Sequence, residues 1–279
     1  MQYYFDDNLQ IIMDIDVSKI NRSGSSYAPS NKTFGTFVAT SNFRFISDGT
    51  PAGDQAVTDM QAVCEADYST VKSIFGLGDV PGRPFVVTVD VNAGGAYHMT
   101  CADTGIHLIP EDAPSLLVAE HVECFQALSG KWDCGLGPGE GLSRALAITV
   151  RPFKVLSGLD GDVQGWWNGG RPQDYFSDGS ADDQNQQSNA CNTLGLFWVN
   201  SLGYSWTQIS QQNAPSLEAV YQSLTGKSGG FTAFVAALGA IPKPWADNPF
   251  PAQPAPTPNP KPQPQGNGCL PGWLAFLRK

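Results

Sequence analysis

The chain has 279 residues, 41% of them hydrophobic and 15% charged, and a formal net charge of −10. That is enough apolar material for a full core in one domain of ordinary size. The acidic balance excludes a nucleic-acid groove, which needs clustered Lys and Arg, and no apolar run approaches the roughly 20 residues that span a bilayer.

The opening MQYYFDDNLQ lacks a basic stretch followed by an apolar one, so no signal peptide is expected in it. Low Lys content with plentiful Asn, Gln, Ser and Gly nevertheless fits an exported protein better than a cytosolic one. None of the six cysteines, Cys64, Cys101, Cys124, Cys134, Cys191 and Cys269, forms a CxxC pair, which argues against a zinc ribbon. Cys124 and Cys134 are the closest in sequence, and a bridge between them is expected.

In chain order, strands are predicted at 11–17, 36–39 and 43–46, with a polar loop at 21–26. Val57, Met60, Cys64, Tyr68, Val71 and Phe75 recur at helical spacing, predicting a helix over 56–75 that Gly76 and Gly78 end. The β-branched run at 85–91 predicts a strand with one buried face. Shorter strands follow at 96–100 and 106–109, and His98 and His107 on them are read first as packing residues, although either could face a cleft.

After Pro114 the pattern turns helical, at 115–128, 140–150, 189–202, 205–212, 216–224 and 230–238. Ser205 and Gln208 form a capping-box pair. Strands first and helices later describe an α+β domain, with an N-terminal mixed sheet and a helical half. The Gly- and Asp-rich stretch at 157–188 is a long loop of the functional or mobile kind. Its Asp160 and Asp178 clusters do not follow the EF-hand or nonapeptide patterns of calcium loops. Trp166, Trp167 and Tyr175 could form a platform for carbohydrate or peptide, or a partial core.

From Ile241 the composition shifts to a polyproline-like spacer, ending in an apolar peptide that contains Trp273, Leu274, Phe276 and Leu277. The expected division is therefore 1–33 as an N-terminal strand-and-loop segment, 34–240 as the domain, and 241–279 as the Pro-rich tail.

The chemistry rests on Ala119-Glu120-His121-Val122-Glu123-Cys124-Phe125 in the helix at 115–128. In an HExxH helix two His four residues apart hold zinc, and the Glu beside the first is the general base. With Glu120 aligned to that Glu, the ligand positions fall on Ala119, which cannot ligate, and Glu123, which can. Gly139-Glu140-Gly141-Leu142-Ser143-Arg144 then looks like a second helix of such a site, with Glu140 as a third ligand and Arg144 as its ion-pair partner one turn on. His121 points about 100° away from Glu120 around the helix, as a surface or packed side chain would.

These elements, together with the helical stretch from Asn189 to Gly226, resemble gluzincin-like bacterial proteins and are similar to the plant basic secretory proteins, a peptidase-like family. The resemblance covers roughly 85–238 and includes bacterial members with a similar AExxExF element followed by a GEGLSR-like segment. It implies a zincin-like single domain with an altered metal site, Glu120 at the catalytic position and Glu123 and Glu140 at metal positions. It does not imply peptidase activity, because the histidines are missing.

No GxxxxGK[ST] or GxGxxG motif is present, which leaves no anchor for a nucleotide site. Two functions remain. One is a zincin-fold protein that binds a protein, peptide or carbohydrate ligand without catalysis; the other is a metal-dependent hydrolase with a carboxylate-rich site. Zinc favours His and Cys over paired carboxylates, and that orders the binding protein first. No cofactor is specified, and neither stoichiometric zinc nor casein-type peptidase activity is expected.

Overall fold

A computed structural model describes residues 35–152, 165–170, 173–243 and 248–250, together with the backbone of 4–5 and 11–12. The backbone separates into two units, Met1–Thr33 and Phe34–Lys279. In the first, β1 (Tyr4–Phe5) pairs antiparallel with β2 (Ile11–Ile12). The remainder of the strand predicted at 11–17 and the loop at 21–26 lie outside the described residues.

The second unit is α+β. Its sheet contains β3 (Phe37–Ala39), β4 (Phe43–Ser47), β5 (Phe85–Val89), β6 (Ala96–His98) and β7 (Gly105–Leu108), in the order β3-β4-β5-β7-β6. β4, β5 and β7 run parallel, and the outer strands β3 and β6 are antiparallel to their neighbours. Alternation follows the pleat: Phe43, Phe45, Phe85, Val87, Val89, Ile106 and Leu108 are buried on one face, while Arg44 and Val86 between them are exposed.

Helix α1 (Pro51–Phe75) links β4 to β5, as a parallel pair requires. It begins where the Thr50 hydroxyl accepts from the Gly53 amide and stops at Gly76, which takes the left-handed conformation at φ 64°. After the sheet come α2 (Ala113–Ser129), α3 (Gly137–Val150), α4 (Gln186–Ser201), α5 (Trp206–Ser210), α6 (Leu217–Thr225) and α7 (Gly230–Gly239). Both halves of the Ser205–Gln208 capping box are formed at the start of α5.

Between sheet and helices lies an aromatic core of Phe43, Phe85, Tyr68 and Phe125. His121 sits inside it, 5.9 Å from the Tyr68 ring and 6.2 Å from Phe43. Its burial lowers its pKa to about 3, so it is a neutral core residue. Trp166 is likewise core at 1% exposure, with its indole donating to the Gln173 carbonyl, which removes it from any ligand platform. Asp178 turns inward on its own loop, accepting from the Ser180 amide and hydroxyl. The Asp160 cluster and the C-terminal peptide with Trp273 lie outside the described residues.

The cysteine expectation is corrected. Cys134 is bonded to Cys101, across a separation of 33 residues, and Cys124 is free and buried. Sequence proximity misleads here because α2 turns Cys124 inward, where its thiol approaches the Asp103 carbonyl at 3.4 Å. Cys134, on the loop after α2, faces the β6–β7 turn instead.

Candidate functional site

The site forms where α2 and α3 meet the edge strand β6. Glu120 and Glu123 are three residues apart on α2, so they project side by side from one face. α3 brings Glu140 to the same place from its first turn. The glycines that flank it let α3 pack tightly on α4 and on the preceding loop: a Cβ at Gly141 would lie 2.6 Å from the Asn192 Cβ of α4, and one at Gly139 would collide with the Asp133 carbonyl. The buried Gln126 amide ties the two helices together by donating to the Gly139 carbonyl at 2.8 Å.

β6 supplies the residue that sequence reading ranked as packing. His98 is in register with Ile106, whose side chain is buried, and so it faces the helices. Tyr97 and His107 face the other way and stack on each other at 4.9 Å, which keeps His107 out of the site. His98 Nε2 lies 2.7 Å from Glu123 Oε2 and 3.8 Å from Glu120 Oε2. Its Nδ1 is 3.2 Å from the Asp103 carbonyl, and a proton donated there holds the ring with Nε2 towards the carboxylates.

Few of these charges reach water. The side chains of His98, Glu120 and Glu123 are 4%, 7% and 10% exposed. Burial raises the Glu123 pKa to about 7, helped by Glu140, which shares a hydrogen bond with it, and opposed by His98. Glu120 is raised well above 4.5 by burial and then by the charges of Glu123 and Glu140. Burial is the largest influence on His98 and works against its proton, but the bond and charge of Glu123 together with those of Asp103 outweigh it and the pKa is raised. The expected ion pair on α3 is present, Arg144 Nε to Glu140 Oε1 at 2.7 Å.

The three predicted carboxylates thus converge, with His98 between the two on α2. Glu120 Oε2 is buried and has no hydrogen-bond partner among the described residues. One donor atom each from His98, Glu123 and Cys134 lie within 4.8 Å of one another. While Cys134 is bonded to Cys101 its sulfur is no thiolate, so the oxidised chain offers a metal only the imidazole and carboxylates. The signal that could have found His98 was parity along β6 and β7, once their pairing register was known.

No protein-family model, no curated protein and no solved structure matches this chain.

Proposed function

We propose that the chain is a zincin-fold protein with a degenerate metal site, and that it binds a protein or peptide ligand without hydrolysing it. The observation that carries this reading is that two of the cluster's three carboxylates are bonded from within the chain. His98 bonds Glu123, Arg144 bonds Glu140, and Ala stands at 119, where the first histidine of an HExxH helix would be. Glu120 itself is nearly sealed, its side chain 7% exposed and its Oε2 3.8 Å from His98 Nε2, which disfavours contact with a scissile carbonyl. The succession of a mixed sheet, an antiparallel edge strand, a helix carrying Glu120 and a second helix carrying Glu140 supports the zincin-like part of the reading.

The rim of the edge strand suits an extended peptide. Among the described residues β6 pairs with β7 alone, leaving its outer side to accept a strand. Tyr97 and Met99 are 43% and 76% exposed there.

The test uses the full chain, disulfide intact, purified without chelator. Substoichiometric metal by mass spectrometry, no turnover of casein, and capture of peptides from a random library that Tyr97→Ser weakens are the expected results. Stoichiometric zinc with peptidase activity abolished by Glu120→Gln would replace this reading with the metal-dependent hydrolase, for which the unpartnered Glu120 oxygen would serve as base.

A further inference from the structure

We propose that reduction of the Cys101–Cys134 disulfide creates a zinc site from His98, Glu123 and the freed Cys134 thiolate. The three donor atoms already lie within 4.8 Å of one another. Around a tetrahedral zinc, ligand atoms stand roughly 3.3–3.8 Å apart, as bonds of about 2.0–2.3 Å dictate. The released sulfur must therefore close by about 1 Å, and the His98–Glu123 pair, 2.7 Å apart, must open by about 0.6 Å to admit the ion.

The two cysteines are unequally placed for the chemistry. Cys101 is half-buried on the β6–β7 turn, whereas Cys134 is 7% exposed. A dithiol reductant attacks the accessible Cys101 sulfur, and the electron pair of the S–S bond leaves on Cys134. The second reductant thiol then releases Cys101, the reductant becomes the disulfide, and both cysteines end as thiols. Zinc binding displaces the Cys134 proton to solvent.

Cys134 has little freedom to move away once released. Its loop is pinned on both sides: the buried Trp132 indole donates to the Ser210 carbonyl at 2.9 Å, and the Gly137 amide donates to the Ala181 carbonyl at 2.8 Å. The Lys131 carbonyl accepts from the Ala214 amide at 3.0 Å. His98 is oriented as a zinc-binding imidazole commonly is, with its second nitrogen on a backbone carbonyl. An independent observation points to the same place. Glu120 Oε2, 3.8 Å from His98 Nε2, is buried with no hydrogen-bond partner among the described residues, and would accept a hydrogen bond from water in the fourth coordination position.

Thiolate with imidazole selects zinc, whereas the oxidised site has only hard carboxylates beside its imidazole. Zinc affinity, measured by competition with a chromophoric chelator, should rise more than about tenfold when the full chain is reduced with a phosphine. Cobalt added to the reduced protein should give a sulfur-to-cobalt charge-transfer band. Cys101→Ser should bind zinc without reductant, and Cys134→Ser should show neither the rise nor the band. The buried thiols Cys64, Cys124 and Cys191 are unchanged in that last variant, so it separates Cys134 from them. Equal affinity in oxidised and reduced wild-type protein, or a band that persists in Cys134→Ser, would overturn the proposal, and the first comparison needs no variant to fold.

Discussion

His98 and Glu123, 25 residues apart in sequence, form a 2.7 Å hydrogen bond at the meeting of an edge strand and a helix. Both groups are almost sealed from water, which makes their mutual dependence measurable. His98→Ala strands a buried carboxylate. It should destabilise the protein by about 2–3 kcal/mol at pH 8 in urea unfolding. The cost should shrink at pH 5, where Glu123, with its pKa near 7, carries its own proton. The double variant His98→Ala/Glu123→Gln should recover part of the loss, and strictly additive single-variant effects would show that the pair is not coupled.

Stability should fall as pH rises above 6.5. Glu120, Glu123 and His98 all have folded pKa values above their ordinary ones, so each holds its proton more tightly in the folded chain. Their contribution is complete below the ordinary values of 4.5 and 6.5 and is lost as pH climbs through the folded values, about 7 for Glu123. His121 works oppositely, adding stability as pH rises from about 3 to 6.5 and nothing further beyond. From pH 4.5 to 6.5 these contributions oppose, and above 6.5 only the loss remains. Thermal melts from pH 6.5 to 8.5 should show a falling Tm, with a shallower slope in Glu123→Gln. A flat or rising Tm in wild type over that range would contradict the assignment.

His121 offers a test of the aromatic core. Replacing it with Phe keeps a ring among Phe43, Tyr68 and Phe85 while removing a group that must stay neutral to fold. Relative to wild type, His121→Phe should gain about 2 kcal/mol more at pH 5 than at pH 7.5, from about 1.4 kcal/mol for each unit between pH 5 and the unfolded pKa of about 6.5. Chemical denaturation at both pH values measures it. An identical difference at each would mean that His121 titrates freely and is not buried.

Local rules were legible in the sequence where local physics decided the structure. Glu140 and Arg144 are one turn apart on one helix, and the pair formed. Ser205 and Gln208 satisfied each other's backbone as the capping pattern requires. What could not be read depended on which strands lie side by side. The order β3-β4-β5-β7-β6 determines that β6 is an edge facing α2, and only then does parity turn His98 inward and Tyr97 outward. The cysteines failed for the same reason: Cys134 meets Cys101 through the tertiary contact of two loops, while its near neighbour Cys124 is carried away by helix phase. That Glu120 and Glu123 share one face followed from helical spacing, whereas Glu140 was expected beside them only because its segment looks like the second helix of a zincin site.

Peptide mapping without reduction should recover Cys101 joined to Cys134, and alkylation of Cys124 should require denaturation. Closing a loop over a sequence separation of 33 should stabilise the fold by between about 3 and 4 kcal/mol on the chain-entropy account. Reduction should therefore lower the midpoint of urea unfolding and steepen its slope, because the unfolded chain is less compact without the crosslink. Recovery of a Cys124–Cys134 peptide instead would rule out the Cys101–Cys134 pairing.

The tail can be separated from the domain, but the cut matters at the level of a single side chain. Phe250 is 6% exposed, and its ring lies 6.3 Å from Phe234, which is fully buried. Asn248 helps to hold it there, its side-chain oxygen accepting from the Phe250 amide at 3.1 Å. A chain ending at Phe250 keeps this contact and loses only residues 251–279, whose proline-rich composition suits a spacer. Its Tm should differ from wild type by less than about 2 °C. A chain ending at Asp247 also loses the Phe250 ring and should be less stable by about 2–3 kcal/mol, below the full Phe→Ala range because the site is peripheral. That corresponds to roughly 5–10 °C in a domain of this size. The shorter tail should also weaken self-association or partner capture if Trp273, Leu274, Phe276 and Leu277 dock onto another protein, which sedimentation and pull-down with the Phe250-ended chain would measure. Failure of the Phe250-ended chain to fold would make residues beyond 250 part of the core, and equal stability of the two truncations would remove Phe250 from it.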